Sequence, residues 1–246
     1  MSIRQSVIRA IINLFPEKLL KVIALNSLDR ISFDSYKFKL SFSQQGEDIF
    51  LQNIFTKKKG FYIDIGAFHP LIYSNTHVFY LRGWKGINIE PNPDNIAEFN
   101  KIRKRDLNLN LSVYSEEGKL TYYKFNHGAV NTLNKEYALH WTKEPGYIIE
   151  QKLEVQSKKL TTILEQHLPK NQDIDFLSVD CEGADLEVLR SNNWDLFRPK
   201  IVIVEVLYYE YPNFRESELF KYMLSKDYDF HGIMGISMFF IDRNKI

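Results

Sequence analysis

From about residue 40 onward, short runs of β-branched and aromatic residues alternate with stretches whose apolar positions recur at helical spacing. A strand buried on both faces reads as a nearly continuous apolar run, so this alternation predicts a mostly parallel sheet with helices on both sides. Strands are expected at 61–65, 86–90, 107–113, 174–180 and 200–206, with helices at 74–82, 94–104, 160–167, 184–191 and 216–225. Two stretches interrupt the series, 119–125 after the Glu116-Glu117-Gly118 turn and 147–155, and both alternate like exposed strands. Between them, residues 127–146 are rich in Gly, Asn and aromatic side chains. A connection of this length in a compact domain is usually functional, and it is expected to form a lid over a ligand site. The chain closes with two further strands, 228–231 and 237–241, separated by Gly232-Ile233-Met234-Gly235 and read as an antiparallel hairpin.

The first 40 residues break this pattern. Arg4 and Arg9 precede a short apolar run over 10–15, but no small-residue cleavage site follows, and Pro16, Glu17, Lys18 and Lys21 interrupt it well short of the roughly 20 apolar residues that a membrane span needs. No transmembrane helix is predicted. Leu14, Leu19, Leu20, Val22, Ile23 and Leu25 can instead form the apolar faces of two short helices. The expected organisation is therefore an N-terminal helical extension, 1–40, and one catalytic domain, 41–246. Peripheral contact with anionic lipid through residues 1–25 is the alternative use of the extension.

Composition narrows the partners. The chain has 246 residues, 44% of them hydrophobic, enough for one full-sized core. Lys and Arg number 32 against 31 Asp and Glu, a net charge of +1, so no global field attracts nucleic acid. The single cysteine, Cys181, excludes an internal disulfide framework and a thiolate-rich zinc site, and suits the cytoplasm.

In an open α/β sheet, ligands collect beyond the carboxyl ends of the strands where strand order reverses. The first strand ends Ile63-Asp64-Ile65-Gly66-Ala67, and Gly66 lets the backbone turn without a Cβ in the way. Ser74-Asn75-Thr76 can cap the next helix and offer free backbone N–H groups to a carboxylate. The second strand ends at Glu90-Pro91, and Glu90, 26 residues after Asp64, is placed to accept hydrogen bonds from ribose hydroxyls. Asp64 can contact a cofactor or tie down its own loop. A nicotinamide dinucleotide would need more glycines than Gly66-Ala67-Phe68-His69-Pro70 supplies, and Pro70 lacks a donor. S-adenosylmethionine (SAM), which has no phosphate, fits this turn better. His69 is expected to be a packing or loop residue nearby.

Four segments resemble the FkbM-type family of SAM-dependent methyltransferases: Ser43-Gln44-Gln45-Gly46-Glu47-Asp48, Tyr62-Ile63-Asp64-Ile65-Gly66-Ala67 with Ser74-Asn75-Thr76, Gly86-Ile87-Asn88-Ile89-Glu90-Pro91-Asn92-Pro93, and Ser178-Val179-Asp180-Cys181-Glu182-Gly183-Ala184. The resemblance spans roughly residues 43–206. It implies a doubly wound, Rossmann-like α/β fold with a mostly parallel seven-stranded sheet, SAM as methyl donor, and O-methylation of glycans, glycolipids or polyketide-type metabolites. By the same resemblance, Gly66 and Ala67 lie against the cofactor, Glu90 holds its ribose, Ser112 and Val113 flank its adenine, and Asp180 and Glu182 stand at the reaction centre, with Asp180 also touching the cofactor. Tyr114-Ser115-Glu116 departs from the small residue and Asp common at that place in such families.

Methyl transfer to a hydroxyl requires in-line alignment and a base for the departing proton. Asp180 and Glu182 lie two apart at a strand end and so point to one side, where mutual repulsion raises one pKa unless a cation neutralises the pair. One carboxylate can then act as base, or the pair, with Glu205 as a third oxygen ligand, can hold Mg²⁺. His127, at the opening of the lid, is an alternative base, and its competing reading is a solvated loop histidine. Cys181 is expected to be a small buried side chain, and no base near it in sequence marks it as a nucleophile. Lys101, Arg103, Lys104 and Arg105 read as a solvated basic face. Trp141, Tyr208, Tyr209 and Tyr211 are candidates to stack on a sugar ring, or to be core or interface aromatics. The expected function is O-methylation of a sugar, glycan or glycolipid precursor. The alternatives are a nicotinamide-dependent oxidoreductase or epimerase, and a non-catalytic SAM-binding partner in glycan assembly.

Overall fold

The computed structural model describes residues 39–207 and 211–245 together with two short strands near the N-terminus. Chain contacts divide into two units, Met1–Leu40 and Ser41–Ile246. In the first, β1 (Ser32–Phe33) and β2 (Tyr36–Lys37) pair antiparallel, with Ser32 opposite Lys37. The helices and the lipid-facing residues expected within 1–25 lie outside the described residues.

The second unit is a doubly wound α/β fold. Its main sheet has seven strands: β3 (Phe61–Ile65), β4 (Lys85–Ile89), β5 (Leu107–Leu109), β9 (Phe176–Val179), β10 (Ile201–Glu205), β11 (Tyr228–Met234) and β12 (Ser237–Asp242). Their spatial order is β11-β12-β10-β9-β3-β4-β5. The five strands from β10 to β5 run parallel, and only β12 runs opposite to the other six. From β3 the chain winds one way to β4 and β5, then returns to β9 on the other side. That reversal opens a crevice at the strand ends.

Both faces of the sheet are covered. Ile63, Val202 and Val204 point into one core, with α5 (Leu160–His167), α6 (Asp185–Arg190) and α7 (Glu218–Ser225) packed over it. Tyr62, Ile201 and Ile203 point into the other, which α1 (Glu47–Ile54) and α2 (His77–Leu81) cover with Leu51, Phe55 and Phe79. The period-two alternation of Tyr62 with Ile63 therefore feeds two apolar layers. A further helix, α3 (Pro93–Ile102), is capped by Asn92, whose side chain accepts from Asp94 N. Among the described residues no helix is long and apolar enough to cross a membrane.

Three expectations need correction. The strand expected over 107–113 is two strands in different sheets, β5 and β6 (Ser112–Val113). Asn110 causes the break: its Nδ2 donates to the carbonyls of Glu90 and Pro91, both at 3.0 Å, so a side chain replaces the backbone ladder there. β6 then joins a separate three-stranded sheet with β7 (Gly118–Phe125) and β8 (Ile149–Lys158), in the order β6-β8-β7. Secondly, the connection over 127–146, read as a lid without elements of its own, contains two. These are a 3₁₀ turn, Gly128–Val130, and helix α4 (Lys135–Trp141), capped by the Asn134 side chain accepting from Glu136 N and Tyr137 N. Thirdly, Arg103 is not part of a solvated face. It is fully buried and donates to Pro70 O, the Tyr62 hydroxyl, Ser74 Oγ and Thr76 Oγ1. Its place at the end of α3 turns it inward, whereas Lys101 and Lys104 remain exposed.

Candidate active site

A cavity of about 370 Å³ opens at the switch point between β3 and β9. Most of the residues singled out from sequence line it: Asp64, Gly66, Ala67, Asn75, Glu90, Pro91, Ser112, Val113, Asp180, Glu182 and Glu205. Ser74 and His127 do not. Ser74 is buried behind the wall, where its N donates to Phe42 O and its Oγ accepts from His77 N and Arg103, so its own N–H and the one it caps are not free for an anion. His127 is exposed, with its ring 5.2 Å from that of Tyr147. Tyr211 is exposed and outside the lining, Trp141 lines the cavity, and Tyr208 and Tyr209 lie outside the described residues.

The floor is made where two strand ends meet. Gly66 has φ +72°, and a Cβ there would come within 1.8 Å of Asp180 O, so the turn after β3 can pass over the end of β9 only as glycine. Asp64 Oδ2 accepts from Thr76 Oγ1 at 2.7 Å, and burial pushes its pKa up to about 6. Glu90 accepts from Phe68 N at 2.9 Å and Asn92 N at 2.8 Å, one on each oxygen, which clamps the loop after β3 against the end of β4. Burial raises Glu90 to about 7. Each carboxylate oxygen retains a second lone pair for a ligand hydroxyl. His69 is a loop residue, its Nδ1 accepting from the Leu71 and Ile72 amides.

The acidic cluster stands on the loop after β9. Glu182 has φ +49°, a left-handed conformation that a non-glycine residue adopts only when its surroundings enforce it. The enforcing groups are visible. Asp185 accepts from Cys181 N and Gly183 N at 2.9 and 3.1 Å, Thr132 Oγ1 donates to Glu182 O at 2.8 Å, and Asn134 Nδ2 donates to Gly183 O at 2.9 Å. Tyr137 of α4 donates its hydroxyl to Glu182 Oε2 at 2.7 Å. The segment over the cavity is therefore stapled to the acidic loop, with its 3₁₀ turn and Tyr137, Trp141 and Tyr147 against the lining.

One oxygen from each of Asp180, Glu182 and Glu205 lies within 4.8 Å of the others. Burial, then the neighbouring Glu205 and Glu182, drives the Asp180 pKa far above the usual carboxylate range. Burial and Glu182 do the same to Glu205. Burial raises Glu182 to about 7, against the stabilising Tyr137 hydrogen bond. Asp180 Oδ1 is buried and accepts no hydrogen bond. Such a group can hold a proton, share one or bind a cation. Burial and the nearby carboxylates push the Cys181 thiol pKa up, which disfavours the thiolate.

Tyr137 and Asp185 are lining residues that were not singled out from the sequence. Tyr137 shares with the anticipated Trp141 a helix within the long connection, and the Asn134 cap ahead of Glu136 is the helix start that could have disclosed it. Asp185 could have been found as an acidic residue two positions after a glycine at a helix start. Glu47 is a less legible case: its carboxylate accepts from Gln45 N and Ser237 Oγ, and Gln45 Oε1 accepts from Ile236 N, so this segment clamps the terminal hairpin while Gln44 lines the cavity.

A model of the methyltransferase FkbM domain matches residues 64–230. Comparison with curated proteins gave no match.

Proposed function

The chain belongs to the FkbM family of methyltransferases, and on that premise we propose that it uses SAM to methylate a hydroxyl of a sugar, glycan or glycolipid precursor. The observation that carries this reading is the meeting, in one cavity at the switch point, of Asp64 and Glu90 with the triad Asp180, Glu182 and Glu205. The cavity suits the donor chemically: Glu90 can accept ribose hydroxyls, Ser112 and Val113 supply a wall for adenine, and the acidic lining favours a cation. SAM held beside Glu90, Ser112 and Val113 would supply an electrophilic methyl carbon on a sulfonium, with S-adenosylhomocysteine as its leaving group.

The protein's own part is alignment and proton transfer. A sugar hydroxyl loses its proton as the O–C bond forms, and a carboxylate with a pKa near 7 is a suitable recipient at neutral pH. Glu182 is raised to about that value, and Asp180 lies beside it. We assign the proton to this pair, with the exposed His127 outside the reaction. A second reading rests on the same three oxygens within 4.8 Å and on the unpartnered Asp180 Oδ1: Asp180, Glu182 and Glu205 would hold Mg²⁺, which lowers the pKa of the hydroxyl. The domain 41–246 carries this chemistry, in the cytoplasm, and residues 1–40 form an extension that can touch anionic lipid.

Calorimetric titration with SAM and, separately, NADH tests the reading. Micromolar SAM binding without NADH binding is expected, and the reverse would return the chain to the oxidoreductase alternative. Asp180→Asn should bind SAM yet release no S-adenosylhomocysteine. If the variant turned over normally, neither the base nor the metal role of Asp180 would stand, and turnover that survives EDTA would remove the Mg²⁺ reading alone.

A further inference from the structure

The lining of the cavity constrains the charge an acceptor can carry. Among the described residues it presents six carboxylates, Asp64, Glu90, Asp180, Glu182, Asp185 and Glu205, and no Lys, Arg or His. The buried Arg103 does not join them, since its guanidinium is bonded to Pro70, Tyr62, Ser74 and Thr76 behind the wall. An anionic group entering this space would find no cation to pair with and would press on carboxyl groups already crowded against one another, where water is scarce and screening weak.

The lid offers the opposite kind of group. Asn131 Nδ2 and Trp141 Nε1 both belong to residues that line the cavity, both are buried, and neither completes a hydrogen bond, although they reach toward the phenols of Tyr122 and Tyr137. Asn131 is held in place by its other end, where Oδ1 accepts from Phe125 N at 2.7 Å. A buried donor without an acceptor is costly, and a ligand oxygen relieves that cost. A protonated amine, which has donors and no acceptor, cannot. Trp141 and Tyr147, with ring centroids 4.4 Å apart, add an aromatic wall beside these donors, suited to the C–H face of a saturated ring.

Building on the reading of the chain as a hydroxyl methyltransferase, we propose that the reacting part of the acceptor is an uncharged polyhydroxylated ring whose oxygens take the Asn131 and Trp141 donors, and that the carboxylate lining turns away uronate and phosphorylated rings. Asn131 and Trp141 are thus specificity-determining residues. Asp180 and Glu182 stand at the hydroxyl that reacts.

The test uses the full chain with SAM and three matched sets of acceptors: methyl pyranosides of glucose, galactose and mannose, the corresponding uronates and 6-phosphates, and the corresponding amino sugars. Release of S-adenosylhomocysteine is followed, and SAM binding is measured separately by calorimetry. The neutral ring is expected to exceed its uronate and phosphate partners by at least about 100-fold in kcat/KM, and to exceed the amino sugar. Asn131→Asp keeps the acceptor for Phe125 N and deletes the free donor, and Trp141→Phe keeps a ring and deletes Nε1–H. Each should raise the KM for the neutral ring about tenfold or more while leaving SAM affinity unchanged. Equal or faster turnover of uronates, phosphates or amino sugars overturns the proposal and leaves the methyltransferase reading intact. SAM binding with no turnover of any ring also overturns it, whereas absence of SAM binding defeats the underlying reading instead.

Discussion

The crossing of Gly66 over the end of β9 can be tested by a single methyl group. Gly66→Ala places a Cβ 1.8 Å from Asp180 O and 2.8 Å from Asp180 C, at a residue whose φ is +72°. Two costs add: about 1–2 kcal/mol for an L-residue in the left-handed region, and about 1–3 kcal/mol for forcing packed backbone apart. Gly83→Ala is the control, because its φ is +94° but nothing lies within 4 Å of the added atom. The two variants share the backbone penalty and the reduced entropy of the unfolded chain, so their difference isolates the steric part. Gly66→Ala should therefore be less stable than Gly83→Ala by about 1–3 kcal/mol in urea unfolding, which for a domain of this size corresponds to about 2–12 °C in Tm. Because Asp180 O must move, the same variant should also lose affinity for SAM. Equal stabilities of the two variants would refute the claim that the β3 turn and the Asp180 carbonyl share one tightly packed contact.

Two further outcomes follow from buried charge. Arg103→Lys keeps the charge but cannot reproduce donors to Pro70 O, Tyr62, Ser74 and Thr76, so a loss of about 3 kcal/mol is expected in denaturant unfolding, and a loss below about 0.5 kcal/mol would restore Arg103 to the solvated face. Glu90 rises from 4.5 to about 7 on folding, so the folded state holds a proton that the unfolded chain has released; its contribution to stability is full below about pH 4.5 and is lost as pH rises toward 7. Melts of the ligand-free protein from pH 5 to 8 should fall more steeply for wild type than for Glu90→Gln, and parallel slopes would show that Glu90 does not titrate in that window.

The parts of this molecule legible in the chain are those governed by local periodicity. Strands buried on both faces had to be continuous apolar runs, and so β3, β4, β9 and β10 and the helices between them were visible. The carboxylates Asp64, Glu90, Asp180, Glu182 and Glu205 followed as the acidic residues at the carboxyl ends of those runs, where the topology of a doubly wound sheet brings strand ends together.

Other features were decided by contacts between residues far apart in the chain. Arg103 reads as one member of a basic run until Tyr62, Ser74 and Thr76, up to 41 residues away, provide its partners. The break at Asn110 depends on carbonyls at 90 and 91, the exclusion of His127 from the cavity on how the lid lies, and the grip of Tyr137 on Glu182 on a separation of 45 residues. Periodicity reports which face of an element is apolar, but a polar side chain takes its role from its partner. That partner is chosen only when the sheet, the lid and the strand ends have been packed against one another.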